Sequence, residues 1–166
     1  QISLLTTSQV KAFKGGQLGV LSSSQIGALE TDDLRALGTA QVPSFMGQQI
    51  KVLRVDQLVA LQDAQAAAFS SGQLLALTTA QISAISTSQI AALTTAQFAS
   101  VAPAQIASLT VSQVASLENV DLLALATAQV VAFTSSQVAT LSAYQFSALP
   151  STYILTLTPS QVGSIE

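Results

Sequence analysis

Large apolar residues recur along this chain of 166 residues in a strict eight-residue pattern. Divided into octapeptides from Gln1, the chain holds twenty full copies and a six-residue remainder, without an insertion or deletion. Position 5 is apolar in every copy, from Leu5 to Ile165, and position 2 is large and apolar except at Ala66. Residues three apart lie on one side of a helical turn, whereas residues on one face of a strand are two or four apart. The pattern therefore predicts one short helix in each copy.

The polar positions predict where each helix begins. Positions 6 and 7 are rich in Ser and Thr, and Gln occupies position 1 in 18 of the 21 copies. Ser or Thr followed three residues later by Gln is a capping box, in which each side chain bonds a backbone N–H of the first turn. Pro103 and Pro159 lie at position 7, the first helical position under this interpretation, where proline is favoured. Each helix is thus expected to run from position 7 to about position 5 of the next copy.

The arrangement of these helices follows from the repeat length. In one continuous helix the apolar stripe would rotate by roughly 80° per octapeptide, so no single face would form. The chain must therefore reverse once per repeat, and such short helices are stable only in an array. We predict an all-α solenoid of eight-residue repeats, with positions 2 and 5 inside and two repeats per coil, about ten coils in all. Three repeats per coil is the less favoured helical geometry, and a β-solenoid is the alternative fold.

The whole chain, residues 1–166, is expected to be a single repeat array with two parts. Residues 1–63 are the more degenerate part and hold ten of the thirteen charged residues, and residues 64–166 are the more regular part. Pro43, at position 3, falls inside a predicted helix, so the helix there is expected to be bent or shortened.

Glutamine at position 1 is the candidate functional residue, and we interpret it as a structural ladder. Each Gln is expected to cap its own helix or to bond the backbone of a neighbouring coil; a binding stripe of amides is the alternative. Asp33 and Asp121 replace Gln in two copies and fit the capping role, whereas Tyr153 fits neither role. The Ser and Thr rows raise ice binding or O-glycosylation as further alternatives to capping. The predicted ladder residues are Gln73, Gln81, Gln89, Gln97, Gln105, Gln113, Gln129 and Gln137.

Composition argues against most chemistry. The chain has no His and no Cys, so we expect no catalytic residues, no cofactor site and no metal site, and hence no enzyme. The acidic residues Glu30, Asp32 and Asp33 are more consistent with helix capping than with calcium binding. Only five Lys and Arg residues are present and the net charge is −3, so nucleic acid is excluded as a partner. Mean hydropathy is +0.55, but no apolar stretch reaches the 18 to 20 residues of a transmembrane segment.

Two resemblances bear on function. The stretch Leu157–Ile165 resembles the opening helix of a TAL-effector repeat, but the repeat of about 34 residues, the base-reading loop and the basic helices are missing. That resemblance therefore extends only to the start of the helix. Across the whole chain, the pattern L-[ST]-[ST]-x-Q-[IV]-x-x-L resembles tandem arrays of large secreted or surface-attached bacterial proteins that are described as adhesin-like.

The second resemblance implies an extracellular or cell-surface structural role. We expect a fibre-forming or stalk segment of a bacterial surface protein, with a second copy of itself as its partner in an end-to-end or lateral homo-oligomer. A binding module that recognises a peptide, glycan or ice on one face is the alternative function; the identity of any surface or glycan ligand stays open. Because the chain begins in phase without Met or a signal peptide, we expect a processed or excised piece.

Overall fold

The computed structural model describes residues 2–165, and within that range all regular structure is helical. It contains nineteen α-helices of four to six residues and two 3-10 helices, Ile2–Leu4 and Val42–Ser44, without a strand. The predicted all-α solenoid is confirmed, and the β-solenoid alternative was wrong. The α-helices are α1 Thr7–Lys11, α2 Gly15–Gly19, α3 Ser23–Gly27, α4 Thr31–Ala36, α5 Gly47–Lys51, α6 Val55–Val59, α7 Asp63–Ala66, α8 Ser71–Ala76, α9 Thr79–Ala84, α10 Thr87–Ala91, α11 Thr95–Ala99, α12 Pro103–Ser108, α13 Val111–Ala115, α14 Asn119–Leu123, α15 Thr127–Val131, α16 Ser135–Ala139, α17 Ala143–Ala148, α18 Ser151–Ile154 and α19 Pro159–Val162.

The α-helices begin where the sequence predicts. In each repeat that forms an α-helix, position 6 is the N-cap and has extended backbone angles, as at Thr78 with φ −73° and ψ 160°. Pro103 and Pro159 are the first residues of α12 and α19, where their missing N–H has no helical partner to lose. The placement of the caps and of these two prolines is therefore confirmed.

The α-helices end earlier than the predicted position 5, at position 2 in α7, α18 and α19 and at position 3 or 4 in the others, and the chain then reverses. At the end of α9, Ile85 already has extended angles, with φ −64° and ψ 150°, and the next N-cap, Ser86, is extended as well. No residue between 2 and 165 has a positive φ, so the reversal needs no glycine in the left-handed region. At this junction, two extended residues between the short helices are enough to turn the chain.

The coil is larger than the sequence suggested. Helix α9 packs against α6 and α12, which lie three repeats before and after it, and Gln81 bonds Leu53, 28 residues earlier. One coil therefore takes about 28 residues, or three and a half repeats. The predicted coil of two repeats was wrong, because the reversal at each cap turns the chain too little to close it in sixteen residues. At about 28 residues per coil, the 166 residues make about six coils, roughly 50 to 60 Å of stacked helices.

The core is a continuous column of side chains from positions 2 and 5. Ile82, Ile90, Phe98 and Ile106 are at most 2% exposed, and the column is equally closed over most of the chain. Full burial of one such side chain stabilises the fold by about 1.5 to 3 kcal/mol, and each coil brings several of them together. Within residues 2–165, no helix has the length and apolar character required to cross a lipid bilayer.

The repeat with Pro43 departs from the rest. Its helix is reduced to the three-residue 3-10 turn Val42–Ser44, which confirms that the helix is shortened there. This turn packs on α2, where a Cβ added to Gly19 would lie only 3.0 Å from the Ser44 carbonyl oxygen. The glycine lets the two backbones approach closely, so the irregular repeat is accommodated without a break in the stack.

Candidate functional site

The side chain of Gln81 shows how one amide connects two coils. Its Oε1 accepts a hydrogen bond of 2.8 Å from the N–H of Thr78, the N-cap of its own helix. Its Nε2 donates to the carbonyl oxygens of Leu53, at 2.7 Å, and Ile50, at 3.1 Å, on the preceding coil. The side chain is 4% exposed. A single amide thus fixes the start of one helix and joins it to the end of another.

The other glutamines singled out from the sequence occupy the same place in their repeats. All eight are between 2% and 8% exposed, and each Oε1 accepts from its N-cap N–H at 2.6 to 2.9 Å. Each Nε2 donates to the position-5 carbonyl 28 residues earlier, at 2.6 to 2.7 Å in seven cases and in a shorter contact from Gln97 to Phe69. A second bond goes to a carbonyl 30 or 31 residues earlier.

These contacts answer a requirement of the backbone. The last carbonyls of a helix have no partner inside it, and a buried peptide group without a hydrogen bond costs about 1 to 3 kcal/mol. Positions 2 and 5 lie at helix ends that are covered by the next coil, so water cannot reach their carbonyl oxygens freely. One hydrogen of the glutamine amide satisfies the position-5 carbonyl, and its oxygen satisfies the N–H of the N-cap. The other hydrogen adds a second bond to a position-2 carbonyl that already accepts from the position-5 N–H, as Ile50 does from Leu53.

The ladder extends beyond the eight predicted residues. Gln49, Gln57 and Gln65 are buried and donate to the position-5 carbonyl 28 residues earlier. Gln145 and Gln161 are also buried and do the same. Gln41 also donates to the carbonyls of Lys11 and Phe13, although its repeat lacks an α-helix. The signal that finds these residues is the repeat phase itself, which all of them share with Gln81.

The first coil is the exception. Gln9, Gln17 and Gln25 are exposed, because none of residues 2–165 forms a coil before theirs, yet their Oε1 atoms still accept from the N-cap N–H groups at 2.7 to 2.8 Å. Gln1 lies outside the described residues. The capping bond therefore forms without burial, whereas the bonds of Nε2 need a neighbouring coil.

Of the two hydrogen bonds of the capping box, the one made by the position-1 glutamine occurs in more repeats than the one made by the N-cap side chain. Ala102 and Ala126 are N-caps without a side-chain oxygen, and Met46 and Arg54 also make no side-chain cap bond. At all four, the position-1 glutamine still accepts from the cap N–H, at 2.6 to 2.8 Å. The Ser or Thr hydroxyl is thus an optional addition to a cap that the glutamine makes in every case.

Both aspartates at position 1 are buried, and neither can replace the glutamine fully. Asp33 accepts from the Glu30 N–H at 3.2 Å, but a carboxylate has no hydrogen to donate to the adjacent coil. Asp121 accepts from the Thr95 hydroxyl at 3.1 Å. Burial raises the pKa of Asp121 above its ordinary value; the Thr95 bond lowers it, and the negative charge of Glu118 raises it. Each aspartate therefore interrupts the ladder and places an acid in the interior.

Tyr153, which had no explanation from the sequence, is a compensated replacement. Its hydroxyl donates to the carbonyl oxygens of Leu123, at 3.2 Å, and Leu125, the two acceptors that a glutamine would reach 30 and 28 residues earlier. A phenol is not placed to accept from an N-cap N–H, but the N-cap here is Pro150, which has none. The Pro150 and Tyr153 pair thus dispenses with the cap bond and keeps the bond between coils.

The remaining polar groups form no further site within residues 2–165. The acids Glu30, Asp32 and Asp33 lie at the start of α4, and no group of three metal-ligating side chains occurs in the described part. Arg54 forms an exposed ion pair with Asp56 at 3.0 Å, which lowers the pKa of that carboxyl.

Comparison with known proteins agrees with this architecture. The family model described as the ALTTAQ repeat matches residues 26–71, 66–103 and 114–151, together more than half of the chain. The six letters occur intact at Ala76–Gln81 and Ala92–Gln97, where they run from the end of one helix through the cap to the ladder glutamine. No curated protein sequence matches the chain.

Proposed function

The chain belongs to the ALTTAQ repeat family, and from that premise we propose that it is an extracellular structural segment. In this proposal the solenoid is a fibre-forming or stalk segment of a bacterial surface protein and associates with further copies of itself. The resemblance of its repeat to arrays of secreted and surface-attached proteins supports the location. The proposal includes no catalytic role, because His and Cys, which carry much of nucleophilic and acid–base chemistry, do not occur in the chain.

The observation that carries the structural role is the use of the ladder amides. The interior glutamines direct their polar atoms at the protein's own backbone, so the most regular polar feature of the chain has no capacity left for a ligand. A column of buried hydrogen bonds that repeats in every coil resists bending and separation of the coils. These are the properties that a spacer or stalk requires.

Self-association is supported by the low charge of the chain. Only 8% of the residues are charged, so little electrostatic repulsion opposes contact between copies.

Negative-stain microscopy and light scattering over a range of protein concentrations test the proposal. We expect rods or filaments whose length increases with concentration, with a width that stays constant. Rods that stay short and dispersed at every concentration would contradict assembly. If such rods bound an immobilised glycan, peptide or ice surface, the alternative of a binding module would be favoured instead.

A further inference from the structure

Asp121 interrupts the ladder in the interior of the solenoid. We call the hydrogen bonds that a position-1 side chain donates to the preceding coil a rung. The rungs on either side are complete, because Gln113 donates to the Ile85 carbonyl at 2.7 Å and Gln129 to the Val101 carbonyl at 2.6 Å. The side chain of Asp121 is one methylene shorter than that of glutamine and has no amide hydrogens. One incomplete rung therefore lies between two complete ones.

The incomplete rung leaves the carbonyl oxygen of Leu93 without a donor. Leu93 lies 28 residues before Asp121, which is the separation at which a glutamine donates to a position-5 carbonyl. No group of residues 2–165 donates a hydrogen bond to this oxygen, and Leu93 is only 6% exposed. A buried carbonyl without a donor and a buried acid at the same contact both favour separation of the two coils there.

Helix α14 has two further unfavourable features. The Oδ1 of Asn119 is buried without a hydrogen-bond partner in the described part of the chain, and its Nδ2 lies 3.5 Å from the Tyr144 carbonyl oxygen. Exchange of the two amide atoms would place an oxygen against that carbonyl, so either orientation leaves one polar atom unpaired. Glu118 is the only charged residue besides Asp121 between 64 and 165, and the two acids repel each other.

The apolar contacts of the same repeat are complete. Leu122 and Leu125 are 1% and 2% exposed, and the equivalent residues of the α12 repeat, Ile106 and Leu109, are 0% and 5% exposed. The α12 repeat has a complete rung, in which Gln105 donates to the preceding coil. The two repeats therefore share the same core and differ in their hydrogen bonds and charge.

We propose that the contact between α11 and α14 is a hinge, at which α14 separates from α11 more readily than α12 separates from α9. Both pairs of helices pack against each other in the closed solenoid. The complete rungs of Gln113 and Gln129 stay closed when α14 opens, so the coils tilt about them without coming apart. The hinge follows from these contacts alone, and its use as a point of bending in a stalk rests on the function proposed above.

Amide hydrogen exchange measured by NMR at neutral pH tests the hinge, because backbone amides exchange when a helix opens locally. The N–H groups of Leu122 and Leu125 bond the carbonyls of Glu118 and Leu122, and those of Ile106 and Leu109 make the equivalent bonds in the α12 repeat. After correction for intrinsic rates, the first pair should exchange about tenfold faster than the second, or more. Equal rates in the two repeats would overturn the proposal.

Two substitutions exchange the properties of the two repeats. Asp121→Gln should restore a donor to Leu93 and slow the α14 amides about tenfold or more, while the α12 amides change by less than about twofold. Gln105→Asp should create a hinge between α9 and α12 and accelerate the α12 amides by a similar factor. Thr79 lies 26 residues before Gln105, as Thr95 does before Asp121, so this variant reproduces the same contact.

Glu118→Gln is the control for charge, because it removes an acid from the same helix and supplies no donor to Leu93. Glu118 is exposed, so water screens its charge, and the α14 amides should slow by less than about threefold. If this variant slows them as much as Asp121→Gln does, the charge and not the incomplete rung opens the contact, and the hinge as proposed is overturned. Equal slowing of the α12 and α14 amides in Asp121→Gln would indicate global unfolding and would also overturn it.

The exchange measurements separate the hinge from self-association. If microscopy shows no association between copies but the α14 amides exchange faster than those of α12, the proposed assembly fails and the hinge stands. Filaments combined with equal exchange rates in the two repeats would support the assembly and overturn the hinge.

Discussion

Gln81 in the middle of the solenoid and Gln17 in the first coil are the same residue at the same position of the repeat, but they differ in what they hold together. Both accept from their N-cap N–H at 2.8 Å. Gln81 also donates to two carbonyls of the preceding coil and is 4% exposed, whereas Gln17 is exposed. The comparison separates a local role, which any repeat can perform, from a role that exists only when coils stack.

The largest expected effect comes from removal of both roles at once. Gln81→Met keeps the volume of the side chain but leaves two backbone groups without a partner, the Thr78 N–H and the Leu53 carbonyl. The Ile50 carbonyl loses one bond and keeps the one from the Leu53 N–H. We expect a loss of about 3 to 5 kcal/mol in the free energy of unfolding, measured by urea denaturation. Gln17→Met, the matched control, loses only an exposed cap bond and should cost less than about 1 kcal/mol. Equal losses at the two sites would show that the bonds between coils contribute nothing.

At Asp121 the hydrogen bonds between coils are missing, so a substitution there can restore them. Asp121→Gln should place a donor on the carbonyls of Ile90 and Leu93 and remove a buried charge. We expect a gain of about 1 to 3 kcal/mol in the free energy of unfolding by urea denaturation. Asp121→Asn removes the charge but is one methylene too short to span the coils, so its gain should be smaller. If Asn stabilises as much as Gln, the gain comes from the charge and not from the rung.

The difference in stability between Asp121→Asn and the unmodified protein should depend on pH in a known direction. The pKa of Asp121 is raised in the folded protein, so folding favours the protonated carboxyl. The carboxylate therefore destabilises the fold at neutral pH, and this penalty disappears as pH falls through the folded pKa to below the ordinary value of about 3.9. The difference in stability between Asp121→Asn and the unmodified protein should thus narrow on acidification. A difference that stays constant from pH 7 to pH 3 would contradict the raised pKa.

A smaller effect is expected from the compensated pair at Pro150 and Tyr153. Pro150→Ser alone introduces an N–H that Tyr153 is not placed to accept, and Tyr153→Gln alone supplies an acceptor that has no N–H to bind. The double variant restores both the cap bond and the bonds to the preceding coil. A double-mutant cycle should therefore give a favourable coupling of about 1 kcal/mol. Thermal unfolding of the four proteins measures the coupling, and strictly additive effects would refute the compensation.

The smallest expected effect concerns the optional half of the cap. Ala126→Ser should add the hydroxyl that the N-cap of α15 lacks and raise stability by about 0.5 to 1 kcal/mol. Ser86→Ala should lower it by a similar amount, because Gln89 continues to accept from the cap N–H. Urea denaturation of the two variants measures both changes. A loss at Ser86→Ala as large as that at Gln81→Met would contradict the primary role of the glutamine.

Much of this structure could be predicted from single positions of the repeat. The helix start follows from Ser or Thr at position 6 and from Pro103 and Pro159 at position 7, since local hydrogen bonds and fixed φ angles decide it. The core follows from the three-residue spacing. The sequence predicted that each glutamine amide bonds either its own N-cap or the backbone of a neighbouring coil. In the interior of the solenoid, each amide makes both kinds of bond.

The size of the coil could not be predicted, because the octapeptide pattern contains no information on how far the chain turns at each cap. That angle depends on backbone geometry at extended residues such as Ile85 and Ser86, which any sequence of this type adopts.

Tyr153 was missed for a different reason. Its role appears only when Pro150 is recognised as a cap without an N–H, and that requires knowing that the glutamine oxygen binds there.

The fractional number of repeats in a coil gives the solenoid the geometry of a screw thread. With about three and a half repeats to a full turn, each added octapeptide rotates the far end by roughly 100° as it advances it along the axis. The ladder is preserved throughout, because every glutamine finds its acceptors the same number of residues earlier. Gain or loss of a single repeat can therefore change the direction in which a distal segment faces without disturbing the fold that holds it.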